Sequence, residues 1–487
     1  MSNNYSMNGG GGNTLYYNEL DSLITDINLN TLGSNSVSYS EDVVCAIFYN
    51  GEYIIDILKD GICSNSILAT KNIIINLNGH IIDYSGITFI NSNGFDITIN
   101  GDINSEIRCV PNENNNASLL IIGGGSLCKI NGGKYITTSS GFGTTDIPYS
   151  TIKIEDNSIL EIRNSIIHGY DLEGGSISNV YMESNSKIIG YDSLFTITAP
   201  NGISAPIVSY GDVYLENCQC YGYANHTANA AGTDYATLSR AIFSIEGNVV
   251  LKNCQVYGTH SGITIRKGNL KIDGGLYEGY SHGGIYFNSN NTISYLQNSI
   301  IKECELRGDG LYDDGIAGTN NAGMYIGGAK DMTIFVDNCS FYGKKQPIVL
   351  KHSNTSSYNN YIYLSNSSIN LDYLNYGFRN DGNNYVIIGP GNNFDENNLR
   401  YKRNYERTEV VYVLKNRTKI ILPHNNTEFN KTKAYLIDFK KGELAIEHSS
   451  NGSKIYTLND LNELECFITE KMIDEKLDTI VIDLGEY

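Results

Sequence analysis

The chain of 487 residues carries a formal net charge of −19, although only 18% of its residues are charged. An acidic surface repels phosphate backbones, so the charge argues against nucleic acid as a partner and, more weakly, against strongly anionic glycans. No run of 18 apolar residues occurs, so we expect no membrane span. The 50 Gly and many Asn residues suit tight corners, and the 37 Tyr suit the short strands between them.

Residues 1–40 predict a flexible N-terminal arm that includes a short helix. Residues 1–16 are mainly Gly, Asn and Ser and lack the apolar core of a signal peptide, so we expect a chain made in a reducing cytoplasm. Apolar residues then follow at a helical spacing, at Leu20, Leu23, Ile24 and Ile27. This helix could cap the body that follows or dock on a partner, and we expect the arm to serve in attachment.

Residues 43–109 predict a dense series of short strands. The segment 43–62 is typical of a hairpin around Asn50-Gly51. The strands predicted after it lie at 73–77, 80–84, 95–100 and 103–109.

One sequence unit recurs through the middle of the chain. The best copies read GNVVLKNCQVYG at 247–258, GDVYLENCQCYG at 211–222 and DMTIFVDNCSFYG at 331–343, and looser copies lie at 268–279, 158–169 and 126–135. Each copy is a strand, a corner, a small residue and a second strand, which predicts a β-solenoid. The predicted corner residues are Asn131, Asn164, Asn217, Asn253, Asp273, Asn338 and Asn366.

Cysteines occupy equivalent positions in three copies of the unit, at Cys218, Cys254 and Cys339, and Cys304 is a candidate fourth. In a parallel β-helix each strand pairs with its equivalent about 4.8 Å along the axis, so equivalent residues stack. We therefore expect a stack of buried thiols. The spacing supports neither a disulfide framework nor a metal site.

The repeats at 126–394 resemble the right-handed parallel β-helix of the pectin-lyase-like superfamily, with its short strands, tight Asn corners and interior ladders. The resemblance implies an all-β fold, a single-stranded right-handed parallel β-helix, which we place at 41–394. The superfamily includes pectate lyases, polygalacturonases, bacterial surface adhesins and the tailspikes and fibres of viruses. Its fold therefore does not choose an activity.

Residues 395–487 predict a small α+β C-terminal domain. A charged segment at 395–407 ends the repeats. The elements predicted after it are strands at 409–414, 419–422 and 433–439, a helix at about 459–475 and a strand at 479–484. We expect this domain to cover the open end of the solenoid, because an uncovered last coil would expose unpaired strand edges.

The candidate catalytic residues are five carboxylates, Glu303, Glu305, Asp309, Asp313 and Asp314. Glycoside hydrolysis needs two carboxyls about 5–9.5 Å apart, and neighbouring coils can present such a pair. The alternative is a solvated acidic rim. Polygalacturonase-like enzymes carry Asn-Thr-Asp, Asp-Asp, Gly-His-Gly and Arg-Ile-Lys in that order, but here no Asn-Thr-Asp occurs and the order of the other motifs differs.

The candidate ligand-binding residues are aromatic, namely Tyr221, Tyr257, Tyr277, Tyr342, His260 and His282. The tyrosines lie beside the repeat glycine and should stack as a surface ladder. Such a ladder could bind sugar rings, form a subunit interface or only cover the strands. The two histidines lie in adjacent repeats and should be neighbours on the surface, with or without a function.

Three functions stay open at this point. The leading hypothesis is a structural, host-attachment protein of a virus, similar to a phage tailspike or fibre. It would be a homotrimer in the virion, made in the host cytoplasm, that binds other virion proteins through its N-terminal part and a host cell-surface glycan along its body, with no cofactor. The alternatives are a polysaccharide hydrolase or lyase on the same scaffold and an extracellular adhesin on a bacterial surface.

Overall fold

The computed structural model describes residues 14–303 and shorter stretches up to 448. The gaps in the first range are 87, 110–117, 140–148, 172–175, 200–202, 225–238, 280–282 and 290–291. The later stretches are 322–327, 332–343, 347–351, 360–371, 378–380, 384–388, 392–393, 401–402, 410–412, 419–421, 433–438 and 443–448. The described residues contain one α-helix, α1 (Leu20–Asn28), and 43 β-strands.

The strands are short, and most have two to six residues. The first half comprises β1 (Leu15–Tyr17), β2 (Cys45–Tyr49), β3 (Tyr53–Ile57), β4 (Gly61–Cys63), β5 (Ile67–Leu68), β6 (Ile73–Asn76), β7 (Ile81–Tyr84), β8 (Ile90–Asn91), β9 (Ile97–Asn100), β10 (Glu106–Cys109), β11 (Leu120–Ile122), β12 (Leu127–Asn131), β13 (Lys134–Ser139), β14 (Tyr149–Ile154), β15 (Ile159–Arg163), β16 (Ile166–Asp171), β17 (Ser176–Met182), β18 (Lys187–Tyr191), β19 (Leu194–Ala199), β20 (Ile203–Ser204) and β21 (Ile207–Ser209).

The second half comprises β22 (Asp212–Glu216), β23 (Gln219–Ala224), β24 (Arg240–Ser244), β25 (Val249–Gly258), β26 (Ser261–Ile265), β27 (Leu270–Gly279), β28 (Ile285–Phe287), β29 (Ile293–Gln297), β30 (Ile300–Glu303), β31 (Met324–Gly327), β32 (Thr333–Asp337), β33 (Ser340–Gly343), β34 (Ile348–Lys351), β35 (Asn360–Ser365), β36 (Ser368–Leu371), β37 (Phe378–Asn380), β38 (Asn384–Ile388), β39 (Tyr401–Lys402), β40 (Val410–Tyr412), β41 (Lys419–Ile421), β42 (Lys433–Asp438) and β43 (Glu443–His448).

The chain winds into a parallel β-helix, as the repeats predicted. A typical coil adds two strands to a 27-stranded sheet and one to a 14-stranded sheet, as β22, β23 and β24 do. In the next coil, β25 runs through the corner and supplies both strands of the larger sheet. Pairing from coil to coil is parallel, for example between β24, β26 and β28. Within the described pairings of the larger sheet, antiparallel pairs occur near its two ends, among β1–β3 and among β38, β40 and β41.

The interior is a stack of aliphatic side chains. In the 14-stranded sheet, equivalent inward positions of five successive coils hold buried residues: Ile207, Ile242, Ile263, Ile285 and Met324. Each fully buried side chain of this size stabilises the fold by roughly 1.5–3 kcal/mol relative to exposure. Like residues recur along the chain because each one packs on its equivalent in the neighbouring coils.

The predicted stack of thiols is confirmed for Cys218 and Cys254. Glu216 pairs with Lys252 and Gln219 pairs with Gln255, so the two cysteines between them are neighbours in adjacent coils. Both are buried and free, and burial raises the pKa of the Cys254 thiol to about 12. Cys339 is also buried and free.

The column of equivalent positions that contains Cys218 and Cys254 continues through Gly275 and Ser299 before it reaches Cys339. Every residue in this column is small, and the cysteines serve there as small apolar side chains. Cys304, the candidate fourth member, lies outside the described residues.

The corner between the two strands of the larger sheet has a left-handed backbone in one coil after another. At the predicted corners Asn164, Asn217, Asn253, Asn338 and Asn366, φ lies between 47° and 53°. Asn tolerates this conformation better than most other residues with a side chain, because its short amide can bond locally. These five predictions are confirmed.

Two other predicted corners are wrong by one residue. In those coils the positive φ angles belong to the glycines that follow, Gly132 and Gly133 at 80° and 89° and Gly274 and Gly275 at 76° and 102°, rather than to Asn131 and Asp273. Asn131 instead ends a strand and donates its side-chain amide to Asn100 Oδ1 at 3.0 Å. A side-chain ladder therefore runs beside the corner and is distinct from it.

The predicted helix and hairpin are both present at the N-terminal end. The apolar residues of α1 are buried, and the helix packs against β1, β4 and β5. Strand β1 pairs antiparallel with β2, and β2 pairs with β3 across the turn at Asn50-Gly51. The described part of the arm thus covers the first coils. Its attachment role stays a prediction, as do the domain boundaries at 40 and 394.

Strands predicted in the C-terminal region are present in part. Strands β40 and β41 pair antiparallel, and β41 also pairs with β38 of the solenoid, so it covers the edge of that strand. Strands β42 and β43 form an antiparallel pair. The predicted helix at about 459–475 and the strand at 479–484 lie outside the described residues.

Candidate functional site

The outward face of the second strand in several coils carries aromatic side chains. We call this set the tyrosine surface and define it as His168, Tyr170, Tyr221, Tyr223 and Tyr257, from β16, β23 and β25. Side chains alternate between the two faces of a strand, so Cys220 and Val256, which precede Tyr221 and Tyr257, point inward and are buried. Tyr170 is 40% exposed and Tyr223 is 44% exposed, so rings of this surface are open to a ligand.

The centre of the tyrosine surface is the pair Tyr221 and Tyr257. They are in register in β23 and β25, so the rings come from adjacent coils about 4.8 Å apart. The Tyr221 hydroxyl lies 3.2 Å from Gln219 Oε1 and 3.1 Å from Gln255 Oε1. Both glutamines are exposed, and their amides stand beside the rings. The arrangement combines apolar ring area with hydrogen-bonding groups.

His168 and Tyr170 lie at the other end of the tyrosine surface. Their rings stack at 4.0 Å between centroids. His168 is in register with Thr196 and then with Tyr221, so one small residue separates it from the central pair. His168 Nε2 is buried and has no hydrogen-bond partner among the described residues. Burial lowers the pKa of His168 below its ordinary value of 6.5, which favours the neutral ring at neutral pH.

We expect His168 to make the stability of the protein sensitive to mild acid. The unfolded chain takes up a proton near the ordinary histidine pKa, whereas the folded chain resists it. The neutral His168 ring therefore contributes to the free energy of unfolding above about pH 6.5, and this contribution is lost as the pH falls through the lower pKa of the folded state. Thermal midpoints of wild type and His168→Gln, measured from about pH 8 to about pH 5, should diverge only at the acidic end. Parallel profiles would contradict this role.

Tyr342 extends the column that contains Tyr221 and Tyr257, but not directly. Glu278 and Lys302 occupy the two positions between Tyr257 and Tyr342. Tyr342 is therefore three coils away, or roughly 14 Å along the axis.

The expected surface position of Tyr277 is wrong. It stands in register with Val256, is fully buried, and donates its hydroxyl to Gly274 O at 2.9 Å. Glu278 occupies the outward position in this coil instead. A shift of one residue along a strand moves a side chain to the opposite face.

The expected surface position of His260 is also wrong. Its side chain is 5% exposed, and its Nδ1 lies 3.1 Å from Ser261 Oγ. It lies in the two-residue turn between β25 and β26, where the chain passes tightly from one sheet to the other. His282 lies outside the described residues, so the proposed pair is not tested.

The candidate carboxylates fall mostly outside the described residues. Glu305, Asp309, Asp313 and Asp314 are not described. The backbone of Glu303, at the end of β30, pairs with Gly279 of β27. The catalytic role of this segment stays a prediction.

Sequence reasoning missed an aromatic and basic cluster on the 14-stranded sheet. The guanidinium carbons of Arg240 and Arg266 lie 4.5 and 4.6 Å from the ring centroid of Phe243. Two coils further on, Tyr286 and Tyr325 stack at 5.1 Å. Phe243 is 1% exposed and Tyr325 is 5% exposed, so these two rings offer little surface to a ligand, whereas Tyr286 is partly exposed. We interpret the cluster as a structural one, in which the guanidinium groups of Arg240 and Arg266 are held by cation–π contacts with Phe243.

No protein-family model matches the chain. Neither a curated protein nor a solved structure is significantly similar to it. Its function therefore has to be inferred from its own geometry. Within the described residues, no helix has the length and hydrophobicity needed to cross a bilayer. The same part of the chain brings together no group of three or more His, Cys, Asp or Glu residues suited to a metal ion.

Proposed function

We propose that the protein recognises a glycan along its rod, with the tyrosine surface as the binding face, in the manner of a viral attachment protein. The observation that carries the proposal is the adjacent pair of Tyr221 and Tyr257, flanked by two exposed glutamines. Their rings have one apolar face and one polar tip each. A flat array of this kind on a rigid scaffold suits an elongated ligand with many hydroxyl groups.

The chemistry of the tyrosine surface favours sugars over other ligands. The C–H faces of a sugar ring pack on aromatic rings, and its hydroxyls bond to amides and phenols. A purely apolar ligand would make no hydrogen bonds to Gln219 and Gln255. Nucleic acid would be repelled, because the protein carries a net negative charge. Burial raises the pKa of Tyr221 above its ordinary value, so its hydroxyl stays protonated and can donate a hydrogen bond.

The viral part of the proposal comes from the resemblance to tailspikes and fibres. A long parallel solenoid is a rigid spacer, which suits a protein that must present a binding face away from a particle. The proposed setting is a virion, with the N-terminal part bound to other virion proteins and the rods packed as a homotrimer. Light scattering should then give three times the mass of the 53.7 kDa chain, and a monomer at working concentration would contradict the trimer.

Replacing both central tyrosines by alanine should lower the affinity for a glycan held on the tyrosine surface by about a hundredfold. Each ring removed should lower the affinity by about tenfold, since aromatic anchors at a binding centre are typically worth 1–2 kcal/mol or more. The measurement is binding of the wild type and the double variant to a printed glycan array, followed by titration calorimetry with the glycan whose signal differs most between the two. Both residues are outward and only partly buried, so the fold should survive the change.

The matched control is Tyr39→Ala, because Tyr39 is 71% exposed and lies at the N-terminal end, away from the tyrosine surface. This variant should bind as the wild type does. If every glycan that the wild type binds is bound with unchanged affinity by the Tyr221→Ala/Tyr257→Ala variant, the tyrosine surface is not a binding face.

A further inference from the structure

A groove follows another corner of the rod, where the 14-stranded sheet leads into the first strand of the larger sheet. We call it the glycine groove. It spans five successive coils, between β17 and β18 at one end and before β29 at the other, and has a volume of about 640 Å³. Its lining includes Ser184, Lys187, Tyr210, the three glycines Gly211, Gly247 and Gly268, and Thr292.

The floor of the glycine groove is backbone. Gly211, Gly247 and Gly268 are stacked in successive coils, because the strands that follow them pair in register. A Cβ on Gly247 would lie 2.2 Å from Gly211 O, and one on Gly268 would lie 1.8 Å from Gly247 O. No side chain can therefore stand at these positions. The three glycines begin the repeat copies at 211, 247 and 268, and this recurrence of glycine at one position of the repeat is the sequence pattern that indicates the backbone floor.

One wall of the glycine groove is a polar ladder. Asp212, Asn248 and Asn269 each follow one of the glycines. Asn248 donates its backbone N–H to Asp212 Oδ1 at 2.9 Å, and Asn269 donates its side-chain amide to Asn248 Oδ1 at 2.9 Å. These bonds hold the amide and carboxylate groups in fixed positions along the groove. A fixed row of polar groups favours hydrogen bonding to a ligand without much loss of side-chain entropy.

Charge in the glycine groove is balanced. Lys187 and Lys267 are opposed by Asp212 and Glu246, and Lys267 forms an ion pair with Glu246. A strongly anionic or cationic ligand therefore gains little here. At the end of the groove, Thr292 is 6% exposed, and its Oγ1 has no hydrogen-bond partner among the described residues. Buried hydroxyls are normally paired, and none of the described residues supplies the partner of this atom.

We infer that the glycine groove is a second saccharide site and that it takes an uncharged oligosaccharide. A neutral sugar chain supplies hydroxyls to the amide ladder and needs no net charge in the groove. The site is distinct from the tyrosine surface, because the whole first strand and the left-handed corner that follows it lie between them. The inference goes beyond the proposed function, since it holds whether or not the tyrosines bind a glycan.

The test uses the full chain with Tyr221→Ala and Tyr257→Ala, so that the tyrosine surface cannot contribute. The probe is a printed array of neutral oligosaccharides. Oligogalacturonides are printed on the same slide as charged glycans for comparison. We expect binding to neutral spots and none to the oligogalacturonides. Ser184→Trp, at an exposed position on the rim, should fill the groove and lower the affinity for the best neutral glycan by at least about tenfold.

Two controls keep this outcome interpretable. Ser38→Trp adds the same side chain at an exposed position near the N-terminus and should leave binding unchanged. Thermal midpoints of both tryptophan variants should match that of the parent, which shows that the rod is folded. Absence of binding to every neutral spot, preference for oligogalacturonides, or equal binding by Ser184→Trp and Ser38→Trp would each overturn the inference. None of these results would bear on the tyrosine surface.

Discussion

Gly268→Ala is expected to lower the free energy of unfolding by about 3–5 kcal/mol. The residue has φ of 103°, a region that costs an L-amino acid roughly 1–3 kcal/mol. Its new Cβ would also lie 1.8 Å from Gly247 O, which is backbone of the neighbouring coil and cannot move alone. Relief would require the two coils to separate locally, at a typical overpacking cost of about 1–3 kcal/mol.

The matched control for Gly268→Ala is Gly125→Ala. Gly125 has φ of 78°, but the nearest atom to its new Cβ is Asn157 O at 4.0 Å. This variant should lose only the conformational term, about 1–2 kcal/mol. Guanidinium unfolding followed by circular dichroism measures both changes. Equal losses in the two variants would show that the close approach of the coils is not what requires glycine at 268.

Asp26→Ala is expected to destabilise the N-terminal end by about 3–5 kcal/mol. Asp26 is 0% exposed, and its carboxylate accepts bonds from the Tyr17 hydroxyl at 2.9 Å, the Asn35 backbone at 2.9 Å and the Asn35 amide at 2.6 Å. The backbone N–H of Gly33 adds a fourth bond at 3.2 Å. Removing the carboxylate takes this acceptor from the buried Tyr17 hydroxyl and breaks the bonds that tie Gly33 and Asn35 to α1, and losing several bonds to one charged acceptor commonly costs this much.

The measurement for Asp26→Ala is hydrogen exchange of the amides in β1 and α1, together with limited proteolysis of residues 14–44. Both should show an opened end, while the solenoid beyond β6 keeps its protection. Glu19→Ala is the control, because Glu19 is exposed and makes no capping bond at the start of α1. It should change stability by less than about 0.5 kcal/mol. Unaltered protection of α1 in Asp26→Ala would contradict this account of the network.

Local patterns predicted the architecture because the repeat has local causes. Asn at the corners and small residues after them follow from left-handed backbone and close packing, which act within a few residues. The errors at Asn131 and Asp273 arose where a glycine follows and takes the left-handed position itself. The error at Tyr277 is also a displacement of one residue along the chain, and such a displacement moves a strand side chain from the surface to the core.

The sequence by itself determined that this chain is a stack of short strands with Asn and Gly corners, and that Cys218 and Cys254 are equivalent. Only the tertiary structure decided which side chains meet. The pairing of Tyr221 with Tyr257, the contact of Arg240 and Arg266 with one ring, and the glycine groove all bring together residues from different coils. Connections between strands vary in length along this chain, so spacing alone does not give the register. The hydrogen bonds between coils set it, and the register decides which surface a ligand meets.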